Sequence, residues 1–366
     1  MAKKKEITET PKATSPTLAP KVIKKQISQT RRDIADWKRA LLYASASEPK
    51  NYLLQDIYND IATDALLTSQ LNNRKEQTIS ATFEMVGENG IVDEKATQQM
   101  RSLSVLQDIF SMILDSEWYG YSLVELSTNE GMYRAELINR RNVVPDSGRF
   151  YADTSLNNYI EYRDVKEFGK YILEFNSNHI GLLNKTVPHI LFKKFAQSCW
   201  SELCEIFGIP PRYIKTDTRD EQMLTRAESM MNEIGAAAFF IIDSTEVFEF
   251  AEGVNTNGDV YSNLINLCNN ETSMLISGAI IGQDTKNGNE SKEKISIELL
   301  NRLVDSDKRM VEVYMNSIVI PAFYRIGWIS PTSAKFRFSS VEDTDKLWTI
   351  VKEILPHKNV DNDFIL

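Results

Sequence analysis

The spacing of apolar residues predicts helices in the first third of the chain. Apolar residues recur every three or four positions over 29–47, 53–76 and 94–116, which is the period of a helix with one buried face. Between the last two helices, TISATFEMVG at 78–87 predicts a strand. Six apolar residues are predicted to share the buried face of the third helix: Leu103, Leu106, Ile109, Phe110, Ile113 and Leu114.

From 117 to 193 the pattern changes to short alternating segments that Asn, Asp, Gly and Pro separate. Alternation with a period of two predicts strands, and the short connections predict antiparallel pairing in one meander. The first half of the chain is therefore predicted to be α+β. The segments are YGYSLVEL, YRAELI, RFYAD, NYIEYR and KYILEF.

Helices dominate the second half. A helical block is expected from Phe192 to the Gly-Ile-Pro-Pro sequence at 208–211, because proline cannot donate a helix hydrogen bond. An amphipathic helix is expected near 219–234. Two short strands, AAFFIID and STEVFEF, follow with a turn at Asp243-Ser244 between them.

Two further helices enclose a polar loop rich in Gly and Asn. The first helix is predicted at about 258–281, and the second at about 293–319, where Pro321 is expected to end it. One stripe of the first helix is predicted to consist of Leu264, Leu267, Cys268, Glu271, Leu275 and Gly278.

Composition is that of a globular chain, with 42% hydrophobic and 25% charged residues. The longest apolar run, AAAFFII, is far shorter than the roughly 20 residues that a spanning helix needs, so no membrane crossing is expected. The basic N-terminus lacks the apolar segment of a secretory signal. Cys199, Cys204 and Cys268 lack the spacing of metal ligands, and we expect them to be reduced, buried thiols of a cytoplasmic protein.

The net charge of −9 is unevenly distributed. Residues 1–33 carry about +6, which leaves about −15 for the rest of the chain. Residues 1–28 are expected to be a disordered basic tail, which either contacts nucleic acid or an acidic partner or serves as a solvated leader. The acidic remainder argues against a protein that grips DNA by neutralising phosphates.

Motifs for catalysis are missing from the sequence. There is no GxxxxGK[ST], GxGxxG, HExxH, GxSxG or Cys-x-x-Cys, so we expect no catalytic residue, no metal and no cofactor. Asp305 and Asp307 fall on different faces of a helix and are not expected to form an acid/base pair, and Glu-rich patches are expected to be solvated faces. One aromatic cluster is expected to pack in the core and not to stack on bases, because no arginines lie between its members. The cluster is Phe192, Phe195, Trp200 and Phe207.

Five motifs in a fixed order resemble the portal proteins of Mu-like tailed bacteriophages and prophages. The resemblance extends over roughly 50–345, where YGYSLVEL and INRRNVVPDSGRF also resemble earlier strands of that family. In chain order the five motifs are WSELCEIFGIPPRYIK, DEQML with a helix to Gly235, FFIIDSTEVFEFAEG, a helix ending in SGAIIGQDTKNGNES, and DSDKRMVEVYMNSIVIPAF.

The resemblance implies an α+β portal fold with an α/β wing, a two-helix stem, a small α/β clip and a polar tunnel loop before a long wing helix. It also implies a crown that is short or absent. The implied segments are the wing at 29–191, the first stem helix at 192–209, the clip at 210–257, the second stem helix at 258–282, the tunnel loop at 283–292, the wing helix and closing strand at 293–345, and a truncated C-terminal region at 346–366.

The same resemblance implies roles for particular residues. Gly208, Pro210 and Pro211 would end the first stem helix. Residues of the tunnel loop would contact DNA, and apolar residues of the clip would contact neighbouring subunits. The loop residues are Gln283, Lys286, Asn287, Lys292 and Lys294, and the clip residues are Phe239, Phe240, Ile241, Phe248 and Phe250.

The implied partners are further copies of the chain, in a ring of about twelve subunits at one capsid vertex of the virion. Double-stranded DNA would pass through the ring without sequence specificity, and the terminase large subunit, the capsid protein and a head-tail adaptor would bind to it after assembly in the host cytoplasm. Residue-based reasoning leaves two alternatives open, a nucleic-acid-processing enzyme and an α+β interaction scaffold that forms no ring.

Overall fold

The chain divides into two units in a computed structural model. The small unit consists of residues 1–42 and 185–272, and the large unit of 43–184 and 273–366. The structure describes residues 33–129, 131–154, 158–176, 180–207, 212–233, 239–243, 245, 258–280 and 290–339.

Helices and short strands alternate along the described residues, which confirms the predicted α+β class. The helices are α1 (33–44), α2 (Tyr52–Ile61), α3 (Ala65–Ile79), α4 (Glu94–Arg101), α5 (Leu106–Tyr119), α6 (Leu183–Phe207), α7 (Glu221–Glu233), α8 (Asp259–Ser277), α9 (Glu290–Tyr314) and α10 (Ile320–Arg325). The strands are β1 (Phe83–Val86), β2 (Tyr121–Asn129), β3 (Met132–Leu137), β4 (Val143–Val144), β5 (Arg149–Phe150), β6 (Ile160–Glu161), β7 (Ile172–Asn176), β8 (Arg212–Thr216), β9 (Phe239–Asp243) and β10 (Lys335–Phe338).

Two of the predicted helices are each divided into two shorter helices. The helix expected at 53–76 is α2 and α3, because the Asp64 carboxylate accepts a hydrogen bond from the Leu67 N–H at 3.0 Å and begins a new helix. The helix expected at 94–116 is α4 and α5, and Asp93 caps the first of them. Since α3 continues to Ile79, the strand expected at 78–87 is reduced to β1.

Helix α6 begins at Leu183, whereas the sequence pattern predicted a start near Phe192. Pro188 lies inside this helix, where it removes one hydrogen bond. Val187 and Ile190 are nevertheless buried, so the apolar face continues past the proline. The predicted start was wrong because packing of this face outweighs the single lost hydrogen bond.

The strands between 117 and 193 form two sheets and not one meander. Strand β2 is the centre of the first sheet, antiparallel to both β3 and β7, with Val124 opposite Leu137 on one side and Leu173 on the other. Strands β4, β5 and β6 form the second sheet. The meander prediction was wrong because β7 pairs with the buried β2 and not with its neighbour in sequence, β6.

The core of the large unit lies where α5 packs against the ribbon of β1 and β10. The ring of Phe110 lies 6.1 Å from that of Phe83 and 5.6 Å from that of Phe336, in both cases edge to face. All six residues of the predicted face are buried, but Leu103 lies in the connection between α4 and α5, so the prediction of a shared helix face holds for five of them: Leu106, Ile109, Phe110, Ile113 and Leu114.

Side chains of α9 and of the turn that follows it cover the outer edge of β10. The Asn316 amide donates to the carbonyl oxygen of Phe336 at 2.9 Å and accepts from its N–H at 2.8 Å. The Glu312 carboxylate accepts from the N–H of Phe338 at 2.7 Å. These bonds satisfy a strand edge that would otherwise be open to pairing with another chain.

Pro321 does not end the last long helix, contrary to the prediction. Helix α9 passes into a π-helical turn, Met315–Val319, and then into α10, which has Pro321 in its first turn. The first turn of a helix does not use the N–H that proline lacks. The chain therefore remains helical to Arg325.

Candidate interaction surfaces

Helix α6 exposes two aromatic side chains that were predicted to be core. Phe192 is 41% exposed and Trp200 is 36% exposed, so the core prediction was wrong for both in the single chain. The indole of Trp200 also lies close to Gly258, the residue before α8. A Cβ atom placed on Gly258 would lie 3.0 Å from the Nε1 of Trp200. Gly258 has φ of +77°, so both its backbone conformation and the nearby indole favour glycine.

Helix α8 has an exposed apolar stripe that consists of Val260, Leu267 and Met274, which are 73%, 55% and 51% exposed. The spacing of seven residues places them on one side of the helix. Of the stripe predicted for this helix, Leu267 and Glu271 are exposed and Cys268 is buried, and small and polar residues occupy much of the packed face. The buried residues are Cys268, Thr272, Ser273, Ile276 and Ser277.

Residues 212–243 contain two parallel strands, β8 and β9, with α7 between them in the sequence. Ile214 lies opposite Ile241. Helix α7 agrees with the helix predicted near 219–234, whereas β8 was missed because RYIKT directly follows the two prolines that were interpreted as a helix break. Parallel sheets are normally covered on both faces, yet α7 exposes Met223 and Met230.

Asp243 joins the end of β9 to the turn before α7. Its carboxylate accepts hydrogen bonds from the hydroxyl of Thr245 at 2.6 Å and from that of Thr218 at 2.9 Å. The backbone N–H groups of the same two threonines also donate to it. The bonds from Thr245 and then those from Thr218 lower the pKa of Asp243, because they stabilise the ionised form.

Some of the predicted site residues lie within the described part of the chain. Phe239, Phe240 and Ile241 are in β9, although the side chains of the two phenylalanines are outside the described residues. Helix α9 begins at Glu290, so the predicted tunnel loop of 283–292 ends inside a helix, which also contains Lys292 and the exposed Lys294. The predicted site residues outside the described ones are Gly208, Pro210, Pro211, Phe248, Phe250, Gln283, Lys286 and Asn287.

Asp307 is buried and paired, which the sequence analysis did not predict. Two nitrogens of Arg74, on α3, donate to its two carboxylate oxygens at 2.6 and 2.7 Å. The sequence does contain a signal for this, because Asp307 shares a helical face with the buried Val304 and Val311. An acidic residue on an apolar face predicts a buried cationic partner.

The described residues contain no disulfide and no candidate metal site. All three cysteines are free, and the expectation of buried thiols is wrong for Cys204, which is exposed on α6, whereas Cys268 is buried. Among the residues that the structure describes, no group of His, Cys, Asp and Glu could hold a metal ion. None of the helices in the same residues is both long and apolar enough to cross a bilayer.

Exposed apolar patches on α6, α7 and α8 mark candidate interaction sites. A family model described as the portal protein of Mu bacteriophage matches residues 55–366, and the chain belongs to this family. The match confirms the resemblance seen in the sequence, and the family is structural and not enzymatic.

None of the curated proteins matches the sequence. A crystal structure of an HK97-family phage portal protein from Corynebacterium diphtheriae is similar to this chain with 10% sequence identity and a TM-score of 0.45, over 82% of this chain and 97% of that one.

Proposed function

We propose that this portal subunit assembles into a closed ring that forms the DNA channel at one capsid vertex. The observation that carries the proposal is the exposed apolar stripe of α8, formed by Val260, Leu267 and Met274. Apolar residues seven apart are the pattern by which helices pack side by side. In a ring each copy meets the next through the same two surfaces, so the stripe would be covered without a second kind of protein.

The stem of the proposed ring consists of 192–209 and 258–282, which include the later part of α6 and all of α8. Gly208, Pro210 and Pro211 end the first stem helix in this proposal, since proline cannot continue the hydrogen-bond pattern. The exposed Phe192 and Trp200 would then face a neighbouring stem. The wing would comprise 29–191 and 293–345.

The clip, proposed at 210–257, supplies a second contact between subunits. It contains the two-stranded parallel sheet of β8 and β9. The edges of such a small sheet carry unpaired backbone N–H and C=O groups that can pair with another chain. Phe239 and Phe240 lie on one of its strands. The clip residues proposed to contact the neighbouring subunit are Phe239, Phe240, Ile241, Phe248 and Phe250.

The DNA channel is proposed to be narrowed by the tunnel loop at 283–292. Lysines near a loop tip would touch backbone phosphates without reading bases, and cellular salt screens such contacts beyond roughly 8–10 Å. The net charge of about −15 outside residues 1–33 opposes tight binding, so a duplex would slide. The proposed loop residues are Gln283, Lys286, Asn287, Lys292 and Lys294.

The capsid protein, the terminase large subunit and a head-tail adaptor are the proposed protein partners of the ring. The family membership of the chain supports them, because a portal subunit acts where a capsid receives and releases its genome. Hydrolysis of ATP would belong to the terminase, since this sequence has no phosphate-binding loop motif.

Light scattering combined with electron microscopy tests the ring. With a subunit of 41.8 kDa, about twelve copies give roughly half a megadalton, and images should show a central channel. A mass of one or two chains at every concentration would contradict the proposal. That result would favour the interaction scaffold, or the nucleic-acid-processing enzyme if the same sample cleaved DNA.

A further inference from the structure

The guanidinium group of Arg74 lies within the large unit, where α3, α5 and α9 meet the last residues of α8. Arg74 extends from α3, and its Nε and Nη2 donate to the carboxylate of Asp307 on α9 at 2.6 and 2.7 Å. Its Nη1 donates to the carbonyl oxygen of Ile276, on α8, at 2.9 Å. The Cζ atom is 4.7 Å from the ring centroid of Trp118 on α5. The guanidinium therefore has a partner on each of three other helices.

The carbonyl group that Arg74 contacts marks the end of α8. This helix ends at Ser277, and Gly278 follows with φ of +72°. The last four carbonyl groups of a helix have no regular partner within it, whereas those further back are used by the helix itself. A cation near these carbonyls is also favoured by the helix dipole. Arg74 therefore contacts a group that only the terminus of α8 offers.

One other polar contact of α8 could form again after a shift of the helix along its axis. Ser273 and Ser277 are both buried and lie four residues apart, and Ser277 donates a hydrogen bond to Gln70 of α3. A shift of α8 by about one turn, roughly 5.4 Å, would bring Ser273 to the place of Ser277. The same bond to Gln70 would then form again. Small side chains also form shallow ridges, which resist sliding poorly.

The buried ion pair is a poor source of stability. The free-energy cost of removing two charges from water opposes their attraction. Replacing both residues of a buried ion pair with apolar ones often leaves the stability unchanged. Burial raises the pKa of Asp307 despite the opposing effect of Arg74, so the ionised carboxylate is not favoured by its surroundings as a whole. The location of the pair at the end of α8 therefore accounts for its presence better than its contribution to the free energy of unfolding does.

We propose that Arg74 and Asp307 form a register lock, which selects one axial position of α8 against α3 and α9. If α8 slides in either direction, the Ile276 carbonyl leaves the guanidinium, and one buried N–H loses its acceptor. Residues 278–280, which follow α8, then start from one fixed point. The lock lies within the large unit of a single chain and does not depend on the proposed ring.

Distances between spin labels measure the register directly. In a chain whose three natural cysteines are replaced by alanine, labels are attached through Asn72→Cys on α3 and Ile280→Cys after α8, both at exposed positions. The unaltered lock should give one narrow distance distribution. Arg74→Met combined with Asp307→Leu should broaden it or add a second peak, displaced by up to about 5.4 Å. A single narrow peak at the original distance in this double variant would overturn the proposal.

A second ion pair of α3 provides a matched control. The Lys75 ammonium donates to the Asp115 carboxylate at 2.7 Å, and its side chain is 15% exposed. Lys75→Met removes this pair, leaves Asp115 its contact with Arg140, and should keep the single narrow peak. Broadening in Lys75→Met equal to that in the Arg74→Met, Asp307→Leu variant would show that any lost ion pair loosens these helices, which would contradict a specific lock.

Thermal unfolding tests whether the ion pair sets the axial position of α8 or mainly stabilises the folded chain. The Arg74→Met, Asp307→Leu variant should unfold cooperatively, with a midpoint within about 5 °C of the unaltered chain. Arg74→Met alone should lower the midpoint further, because it leaves Asp307 buried without a partner. If the double variant lost cooperative unfolding, the pair would be a main source of stability and the proposal would be wrong.

Discussion

Two glycines with almost the same backbone conformation differ in how closely the chain surrounds them. Gly181 has φ of +75° and Gly90 has φ of +77°. A Cβ atom on Gly181 would lie 2.3 Å from the carbonyl oxygen of Trp118, whereas one on Gly90 would meet nothing within 4 Å. Conformation alone therefore favours glycine at residue 90, and conformation and space together require it at residue 181.

We predict that Gly181→Ala lowers the free energy of unfolding by about 3–4 kcal/mol, because backbone atoms must move to admit the methyl group. Gly90→Ala should cost only about 1 kcal/mol, since only the conformational preference is lost. Urea denaturation of both variants measures the difference. Equal losses would show that the close approach at Gly181 is unimportant.

A second residue-scale prediction concerns Asp243. Its pKa is lowered in the folded state, so its stabilising effect is complete above the ordinary value of 3.8 and is lost as the pH falls through the lower folded value. Asp243→Asn should therefore speed hydrogen exchange at the Thr218 and Thr245 amides at pH 7. In the unaltered chain, the same change should appear only below pH 3.8, after correction for the intrinsic exchange rate. Glu228→Gln, an exposed change on α7, is the control and should leave these amides protected.

At the scale of elements, the stripe of α8 is the clearest surface to test. Leu267→Glu places a charge in the middle of the stripe, and burying it against a neighbour would be strongly unfavourable. We predict that this variant shifts the protein from rings to small species in light scattering. Asn266→Glu adds the same charge at an adjacent exposed position outside the stripe and should still form rings. Full assembly of Leu267→Glu would show that another surface closes the ring.

The clip is a separate element with its own prediction. Replacing Phe239 and Phe240, both on β9, with lysine should also shift the protein toward small species, because the proposed clip contact between subunits is apolar. Sedimentation velocity at matched concentration measures the distribution. Gln222→Lys, on the exposed surface of α7, is the control. If the phenylalanine variant assembled fully, the clip would not be a subunit interface.

At the scale of the whole molecule, the prediction concerns the proposed tunnel loop. Because α9 already begins at Glu290, the deletion is confined to Asp284–Asn289 and leaves both flanking helices complete. Rings and heads should still form, whereas the amount of DNA retained in the heads should fall, as measured by nuclease-protected DNA per particle. Normal DNA content would reject the role of the loop in the channel, and failed ring assembly would show that the loop has a structural role.

The sequence by itself determined the features that depend on neighbouring residues. The buried face from Leu106 to Leu114 and the position of α7 follow from helical periodicity, which is a property of a short segment. The order of the five motifs was enough to indicate the portal family, because each motif is local and their order is preserved along the chain. The start of α6 was missed because the residues up to 193 were assigned to the strand-like segments that precede them, and Pro188 gives a local signal against a helix.

Only the tertiary structure decided which distant segments meet. Strand β2 pairs with β7, and β8 pairs in parallel with β9, although many residues separate the partners in the sequence. Arg74 and Asp307 are 233 positions apart, and neither residue alone shows whether its charge is compensated. Burial of a charge depends on its partner, and the partner is found only when the helices pack. The sequence could therefore predict that α9 forms, whereas only the packed helices show that Arg74 contacts both α9 and the end of α8.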